Sequence, residues 1–326
     1  MQTILDAANA ARKHGIDLSK LPVNQNMTPE SITEDVIAMN ANCPDERAKF
    51  IFKSLVTHLH DFVRETAITP EEWELAIKFL TETGQKCDDT RQEFILLSDT
   101  LGVSALVGSI NSATPTGATE SSVLGPFYTD KTHHLEKGSS IASEGKGDYM
   151  YVEGTVKDLE GNPIPNAVID TWETDGQGLY DVQLGLNEPE CRGRFLSAED
   201  GSYAFRAVVP IAYPIPADGP VAQMMSNLGR HIIRPAHLHM HIEAPGFQTL
   251  TTALYFKGDP YVNSDPVFGV KSSLIVEPTT ITDGAITQAR GFKDAKPHLH
   301  VRYDFVLPTV EQAEAARLEK LGSTKA

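Results

Sequence analysis

The spacing of apolar residues changes between the two halves of the chain. In KFIFKSLVTHLHDFVRET the apolar residues recur every three or four positions, which predicts an amphipathic helix. A second helix is predicted to begin with Thr69 as N-cap and Pro70 at its first position, and to run to Gly84. A third covers RQEFILLSDTLG and ends at Gly102. The apolar positions of the first helix are Phe50, Ile51, Leu55, Leu59, Phe62 and Val63.

From Tyr149 onward, short β-rich runs are separated by turn signals such as DLEGNPIPN and DGQG. The runs are MYVEGTV, AVIDTWET, SYAFRAVV, HLHMHIEA, TTALYF, KSSLIVE and HVRYDFVL, and the helical segment TVEQAEAARLEKLG follows. Many short strands at a spacing of roughly 8–12 residues are typical of a β-sandwich.

We therefore predict an α+β protein with two domains. The first is a helical domain over residues 1–115. The second is a mainly antiparallel β-sandwich over residues 116–326 that carries a C-terminal helix. The small, polar segment NSATPTGATESS connects them.

The composition limits the partners of the chain. A formal net charge of -16 argues against binding to nucleic acid or to an anionic membrane surface. Apolar runs fall short of the 18 or so residues of a membrane span, and MQTILDAANAARKHGIDLSK predicts an amphipathic helix rather than a signal peptide. The three cysteines, Cys43, Cys87 and Cys191, suit a reducing compartment. We expect a soluble, cytoplasmic protein.

Three histidines stand at alternate positions in RPAHLHMHIEAPGF, namely His237, His239 and His241. On a strand they share one face, with each step of two residues spanning about 6.6–6.8 Å. The first and third are then more than about 13 Å apart, so two adjacent histidines can share a metal ion more easily than all three. A second pair with this spacing, His298 and His300, precedes a closing strand. Spacing alone does not choose among these pairs.

Two tyrosines stand in constrained loops upstream of the histidines. Tyr213 lies between prolines in PIAYPIPADGP, and Tyr180 follows the glycines of DGQG. Phenolate is a hard anionic ligand that suits Fe(III) better than Zn(II). Because the phenol pKa is about 10, a nearby metal charge is needed to ionise it. Two phenolates and two imidazoles would together form a ferric site.

The run from Tyr151 to Tyr180 and the run from Arg234 to His239 resemble the metal domain of intradiol ring-cleaving dioxygenases. The resemblance extends from about Arg91 to Phe305. It implies one Fe(III) per subunit and O2 as co-substrate. It also implies that Tyr213 acts as a base and that Arg234 stabilises a carbanionic ring, while His241, His298 and His300 are structural. The implied metal ligands are Tyr180, Tyr213, His237 and His239.

The segments RQEFILLSDTLGVSALV and ATESSVLGPFY resemble the hydroxyquinol branch of that family. The implied reaction is intradiol cleavage of 1,2,4-trihydroxybenzene by O2 to 3-hydroxy-cis,cis-muconate, a tautomer of maleylacetate. Asp99 would bind the extra hydroxyl group, although it could instead only terminate its helix. Ala253 stands where catechol enzymes carry a glutamine. The implied substrate-binding residues are Leu96, Asp99, Val123, Leu124, Gly125, Pro126, Phe127 and Ala253.

Two other functions fit the sequence less well. One is a catechol 1,2-dioxygenase that produces cis,cis-muconate, and the other is a non-catalytic β-sandwich binding protein whose tyrosines and histidines are structural. The family resemblance further implies an aromatic diol or triol as the small-molecule partner. It also implies that the helical domain over residues 1–115 forms one wall of the substrate cleft and that the sandwich over residues 116–326 is the catalytic, Fe(III)-binding domain. A homodimer formed through the N-terminal helices is implied as well, in some members around a bound phospholipid.

Overall fold

The computed structural model describes residues 15–22, 25–88, 91–111 and 114–323. Most of the helix predicted for the first twenty residues lies outside this part of the chain. Internal contacts divide the chain into two units, Met1–Phe79 and Leu80–Ala326. The division by role near residue 115 stays a prediction.

Helices dominate the first hundred residues, as predicted. The Thr69 cap is confirmed, because the Thr69 hydroxyl accepts from the Glu72 amide at 3.2 Å and the Glu72 carboxylate accepts from the Thr69 amide at 2.9 Å. Gly102, with φ of +74°, separates two helices. The helices are α1 Ile32–Ala38, α2 Glu46–Thr66, α3 Pro70–Gln85, α4 Glu93–Thr100, α5 Val103–Asn111, α6 Asp181–Leu184, α7 Pro220–Asn227, α8 Gly284–Ala289 and α9 Val310–Ser323.

The remaining part of the chain forms two main sheets. The strands are β1 Tyr149–Lys157, β2 Val168–Trp172, β3 Arg192–Leu196, β4 Ser202–Val208, β5 Tyr213–Pro214, β6 Ile233–Arg234, β7 His237–Glu243, β8 Leu250–Phe256, β9 Ile275–Val276, β10 Thr279–Ile281, β11 His298–Arg302 and β12 Phe305–Val306. One sheet has the order β3-β2-β7-β8-β9. The other has the order β10-β11-β1-β12, with β4 also paired to β1, and β5 and β6 form a short ribbon.

Alternate residues of the two sheets form the hydrophobic core between them. Strand β1 contributes Met150 and Val152, and β7 contributes Leu238, Met240 and Ile242, all of them fully buried. This packing confirms the predicted sandwich. The sheets are mixed rather than purely antiparallel, because β1 runs parallel to β11 and β12, and β8 runs parallel to β9.

One predicted strand was largely wrong. In KSSLIVE, Ser272–Leu274 form a 3-10 turn, and only Ile275–Val276 are extended. Leu274 is fully buried against Ala253 and Tyr255, so local packing outweighs the β-propensity of the run.

Among the described residues, no single helix has the length and apolar character needed to cross a membrane. The bent pair α4 and α5 meets that criterion only when its two helices are taken together.

Candidate active site

The side chains on the two faces of strand β7 lie in different environments. Leu238, Met240 and Ile242 enter the core between the sheets, whereas His237 and His239 lie on the opposite face and are each 1% exposed. His241 shares that face but binds elsewhere, since its Nδ1 lies 2.9 Å from Thr251 Oγ1 and its Nε2 lies 3.2 Å from Glu243. The period of two therefore separates one adjacent pair from the third histidine.

The rings of His237 and His239 present their Nε2 atoms to each other at 3.1 Å. His237 Nδ1 lies 2.7 Å from the Pro235 carbonyl oxygen, to which it must donate, so its Nε2 carries the lone pair. The indole of Trp172 stacks on the His239 ring at 4.6 Å and fixes its plane. Within the described part of the chain, His239 Nδ1 has no hydrogen-bond partner.

The two predicted tyrosines meet these histidines. Tyr180 immediately precedes α6, with its amide bound to the Gln183 side chain at 3.0 Å, and Tyr213 lies in β5. The Tyr180 hydroxyl lies 3.3 Å from the Tyr213 hydroxyl and 3.3 Å from His237 Nε2. Both tyrosines are buried. Residues 57 positions apart in sequence thus converge at one point.

This donor set suits a metal ion. Donor atoms that bind one ion with bonds of about 2.1 Å lie roughly 3.0–3.4 Å apart, and the three separations at this site are 3.1, 3.3 and 3.3 Å. The described residues contain no cluster of three or more His, Cys, Asp or Glu side chains placed to hold a metal. The metal hypothesis therefore rests on a mixed set, half phenol and half imidazole.

Burial controls the protonation of these groups. It lowers the pKa of both His237 and His239 well below the ordinary value, and the positive charge of Arg234 lowers both further. Both imidazoles are neutral at pH 7, as metal ligands must be. Burial, with the neighbouring Tyr213, raises the pKa of Tyr180 well above 10. A cation is therefore needed to ionise that phenol.

Arg234 is the buried positive charge of the site. It lies in β6, paired across the ribbon with Tyr213, and is 3% exposed. Its Nε and Nη2 donate to the two carboxylate oxygens of Asp265, each at 3.1 Å. Its Nη1 lies 3.1 Å from His237 Nε2, so the guanidinium faces the converging donors.

A cleft of about 500 Å³ adjoins the donors. Four of the predicted substrate residues line it, namely Asp99, Val123, Leu124 and Gly125. A Cβ at Gly125 would lie 3.6 Å from His239 Nε2, so the cleft wall passes directly over one of the converging nitrogen atoms. Burial raises the pKa of the Asp99 carboxyl, while a hydrogen bond with Ser104 opposes that shift.

The other predicted substrate residues are not in the lining of this cleft. Leu96 is buried one helical turn before Asp99. Phe127 stacks on the Tyr180 ring at 4.4 Å, and Pro126 is exposed. Ala253 is fully buried opposite His239.

Several residues that contact the site were not identified from the sequence. Trp172 and Asp265 have no motif of their own, and each reaches the site only through the fold. Tyr255 lies within TTALYF, two residues after Ala253, so the alternation of a strand places both on one face. That period is the signal that could have identified Tyr255.

Comparison with known proteins gives the family of the chain. A dioxygenase family model matches residues 123–309, and a model of the catechol dioxygenase N terminus matches residues 45–119. The chain is 45% identical over 311 residues to an intradiol ring-cleavage dioxygenase of Aspergillus niger, covering 93% of this chain and 94% of that protein. It is 48% identical over 261 residues to the 6-chlorohydroxyquinol 1,2-dioxygenase of Cupriavidus pinatubonensis, covering 80% and 95%.

Among solved structures, the hydroxyquinol 1,2-dioxygenase of Pseudomonas putida DLL-E4 superposes with a TM-score of 0.80 at 43% identity. The match covers 86% of this chain and 98% of that one. These matches span both the helical and the sandwich parts of the chain. The chain belongs to the intradiol ring-cleavage dioxygenases.

Proposed function

We propose that this enzyme cleaves hydroxyquinol between its two adjacent hydroxyl groups, with O2, to give 3-hydroxy-cis,cis-muconate. The observation that carries the proposal is the convergence of two buried phenols and two neutral imidazoles beside a cleft that contains a carboxylate. The similarity to hydroxyquinol and chlorohydroxyquinol enzymes supports the same choice.

Tyr180, Tyr213, His237 and His239 are the residues that would hold one ferric ion. When bound, the ion supplies a redox-active Lewis acid that binds the diol and lets it react with O2. Burial of all four side chains excludes bulk water from the reacting atoms. The neutral histidines fit this role without prior loss of a proton.

Tyr213 and Arg234 have separate roles in the proposed reaction. Tyr213 accepts a proton from one substrate hydroxyl and so acts as a general base. Arg234, held by Asp265, places a fixed positive charge where negative charge develops on the ring. Their pairing across β5 and β6 keeps the base and the charge side by side.

Asp99 is proposed to select the third hydroxyl group. Asp99 lies in the wall of the cleft and is 5% exposed, so a hydroxyl bound there has little competition from water. We expect Asp99→Asn to lower the ratio of kcat/KM for hydroxyquinol over catechol by about 10-fold or more, because a charged acceptor becomes a neutral amide. Steady-state kinetics on both substrates check this, and an unchanged ratio would contradict the role.

The function itself is tested with purified, iron-loaded protein. Incubation with hydroxyquinol under 18O2 should give 3-hydroxymuconate or maleylacetate carrying two labelled oxygen atoms, as identified by mass spectrometry. A strong preference for catechol would favour the alternative enzyme. Failure to cleave either diol would refute the proposal.

We also propose that the enzyme is a homodimer formed through α2. The apolar residues of α2 are exposed on this chain, with Phe50 at 63% and Leu59 at 53%. Sedimentation that shows only monomer at micromolar concentration would refute this. Bound phospholipid and the cytoplasmic location stay predictions.

A further inference from the structure

We propose that Tyr255 is a positioning residue that fixes the guanidinium of Arg234 in its working orientation. The inference rests on the proposed function, in which Arg234 supplies the positive charge. The observation behind it is a chain of hydrogen bonds that runs from the buried side chains of Arg234 and Tyr255 to the partly buried Ser122, with Gly269 packed against it.

The Tyr255 hydroxyl lies at the centre of this chain. The residue is fully buried in β8, directly opposite His237. Its hydroxyl oxygen is 3.4 Å from Arg234 Nη2 and 3.0 Å from Ser122 Oγ. A phenol with the ordinary pKa of about 10 carries its proton at neutral pH, so the hydroxyl can donate one hydrogen bond as well as accept.

Counting protons gives the direction of each bond. The single hydroxyl proton of Ser122 goes to the Gly269 carbonyl oxygen at 2.7 Å. Ser122 Oγ must then accept from Tyr255, and Tyr255 must accept from Arg234, which has donors only. The order Arg234 to Tyr255 to Ser122 to Gly269 is the arrangement in which each of these donors has an acceptor.

The remaining contacts of Arg234 show what the hydroxyl controls. Asp265 holds the Nε and Nη2 edge of the guanidinium, while Nη1 faces His237 Nε2. Two oxygens of one carboxylate fix that edge but leave the group free to tilt about it. Tyr255 accepts from the second N–H bond of Nη2, whose direction turns with the plane of the guanidinium, and thereby limits the tilt.

Gly269 closes the other side of the same cluster. A Cβ at this position would lie 2.6 Å from the Tyr255 hydroxyl and 3.1 Å from Arg234 Nη2. The Gly269 amide donates to Asp265 Oδ2 at 3.0 Å. The space beside Gly269 is therefore already occupied by Tyr255, Arg234 and Asp265, and a larger residue would displace the hydroxyl.

The first test compares Tyr255→Phe with Tyr203→Phe. Tyr203 is also buried, and its hydroxyl donates to the Tyr303 carbonyl at 2.8 Å, away from the site, so both variants remove one hydrogen-bonded hydroxyl from a buried tyrosine. We expect Tyr255→Phe to lower kcat on hydroxyquinol by about 5- to 30-fold with KM changed less than twofold, because Arg234 acts on the transition state. Tyr203→Phe should keep the wild-type kcat. Iron content and the visible absorption of the resting protein should be unchanged in both.

A double-mutant cycle with Arg234→Lys shows whether Tyr255 acts through Arg234. The Tyr255→Phe change should cost less than twofold in kcat once Arg234 is replaced. An equal loss in both backgrounds, or loss of iron in Tyr255→Phe, overturns the inference.

The two proposals fail in different ways. An active wild type with an unchanged kcat in Tyr255→Phe overturns this inference alone. A wild-type protein without ring-cleaving activity overturns the proposed function and this inference with it.

Discussion

Two pairs of histidines with the same spacing lie on strands of the two opposite sheets. In β7, His237 and His239 turn their Nε2 atoms toward each other and toward Tyr180. In β11, His298 Nδ1 lies 3.0 Å from Thr287 Oγ1, and its Nε2 accepts from Arg290 at 2.6 Å. His300 is bound to Glu153 at 2.8 Å.

The difference between the pairs lies in their partners rather than in their spacing. His298 Nε2 faces the guanidinium of Arg290, which has donors only and cannot bind a metal ion. His237 Nε2 also faces a guanidinium, that of Arg234 at 3.1 Å, but it lies in addition 3.1 Å from His239 Nε2 and 3.3 Å from the Tyr180 hydroxyl, so it is one of several converging atoms of the proposed metal site. An HxH motif therefore indicates a strand, and the groups around it decide whether it forms a site.

The largest expected difference is in metal binding. We expect His237→Gln to lose bound iron and to lower kcat/KM by more than about 100-fold, since a donor of the metal site is removed. His298→Gln should keep one iron per chain and activity within about twofold. Metal analysis and kinetics on the same preparations check both. Equal iron loss in the two variants would contradict the distinction.

A smaller difference is expected in acid sensitivity of the metal-free protein. Burial holds the pKa of both His237 and His239 below about 6.5, so the unfolded chain binds more protons than the folded one in acid. These two histidines therefore do not reduce the free energy of unfolding above about pH 6.5. Below that pH the free energy of unfolding decreases, by up to about 1.4 kcal/mol per pH unit for each histidine.

The His237→Gln change should remove roughly half of this loss. Urea unfolding of the metal-free variant and the metal-free wild type between pH 7 and pH 5 measures it. If the free energy of unfolding decreases by the same amount in both proteins, protonation of His237 does not account for half of the loss.

The smallest effect is expected at the second pair. The ion pair between His300 and Glu153 is partly exposed, with side-chain exposures of 19% and 35%. Glu153→Gln should therefore change the free energy of unfolding by less than about 1 kcal/mol and leave iron content unaltered. Thermal unfolding with metal analysis checks this, and any loss of iron would show that the two sheets are coupled.

Much of the fold could be predicted from periodicity. The alternation in HLHMHIEA predicts β7, and the spacing of apolar residues predicts α2. The run KSSLIVE was assigned wrongly because Leu274 is held by packing that a local pattern does not contain. The parallel pairing of β1 with β11 joins residues about 150 positions apart, and periodicity carries no information on such contacts.

Local sequence patterns predict less of the candidate site than of the fold. The constrained loops of Tyr180 and Tyr213 indicate both residues as candidates, but neither has a spacing that points to the histidines, so the ligand set as a whole follows from the family resemblance. The contacts of Tyr255 join residues 21 and 133 positions away. Such contacts are made by the tertiary fold, so hydrogen-bond geometry was needed to find them.

The central claim is that two phenols and two imidazoles bind one ferric ion. Visible absorption of the ferric protein, with iron content, tests it most directly. We predict one iron per chain and a phenolate-to-iron charge-transfer band that is lost or shifted in Tyr180→Phe but kept in Tyr203→Phe. A colourless, iron-free protein that still cleaves hydroxyquinol, or a band unchanged in Tyr180→Phe, would contradict it.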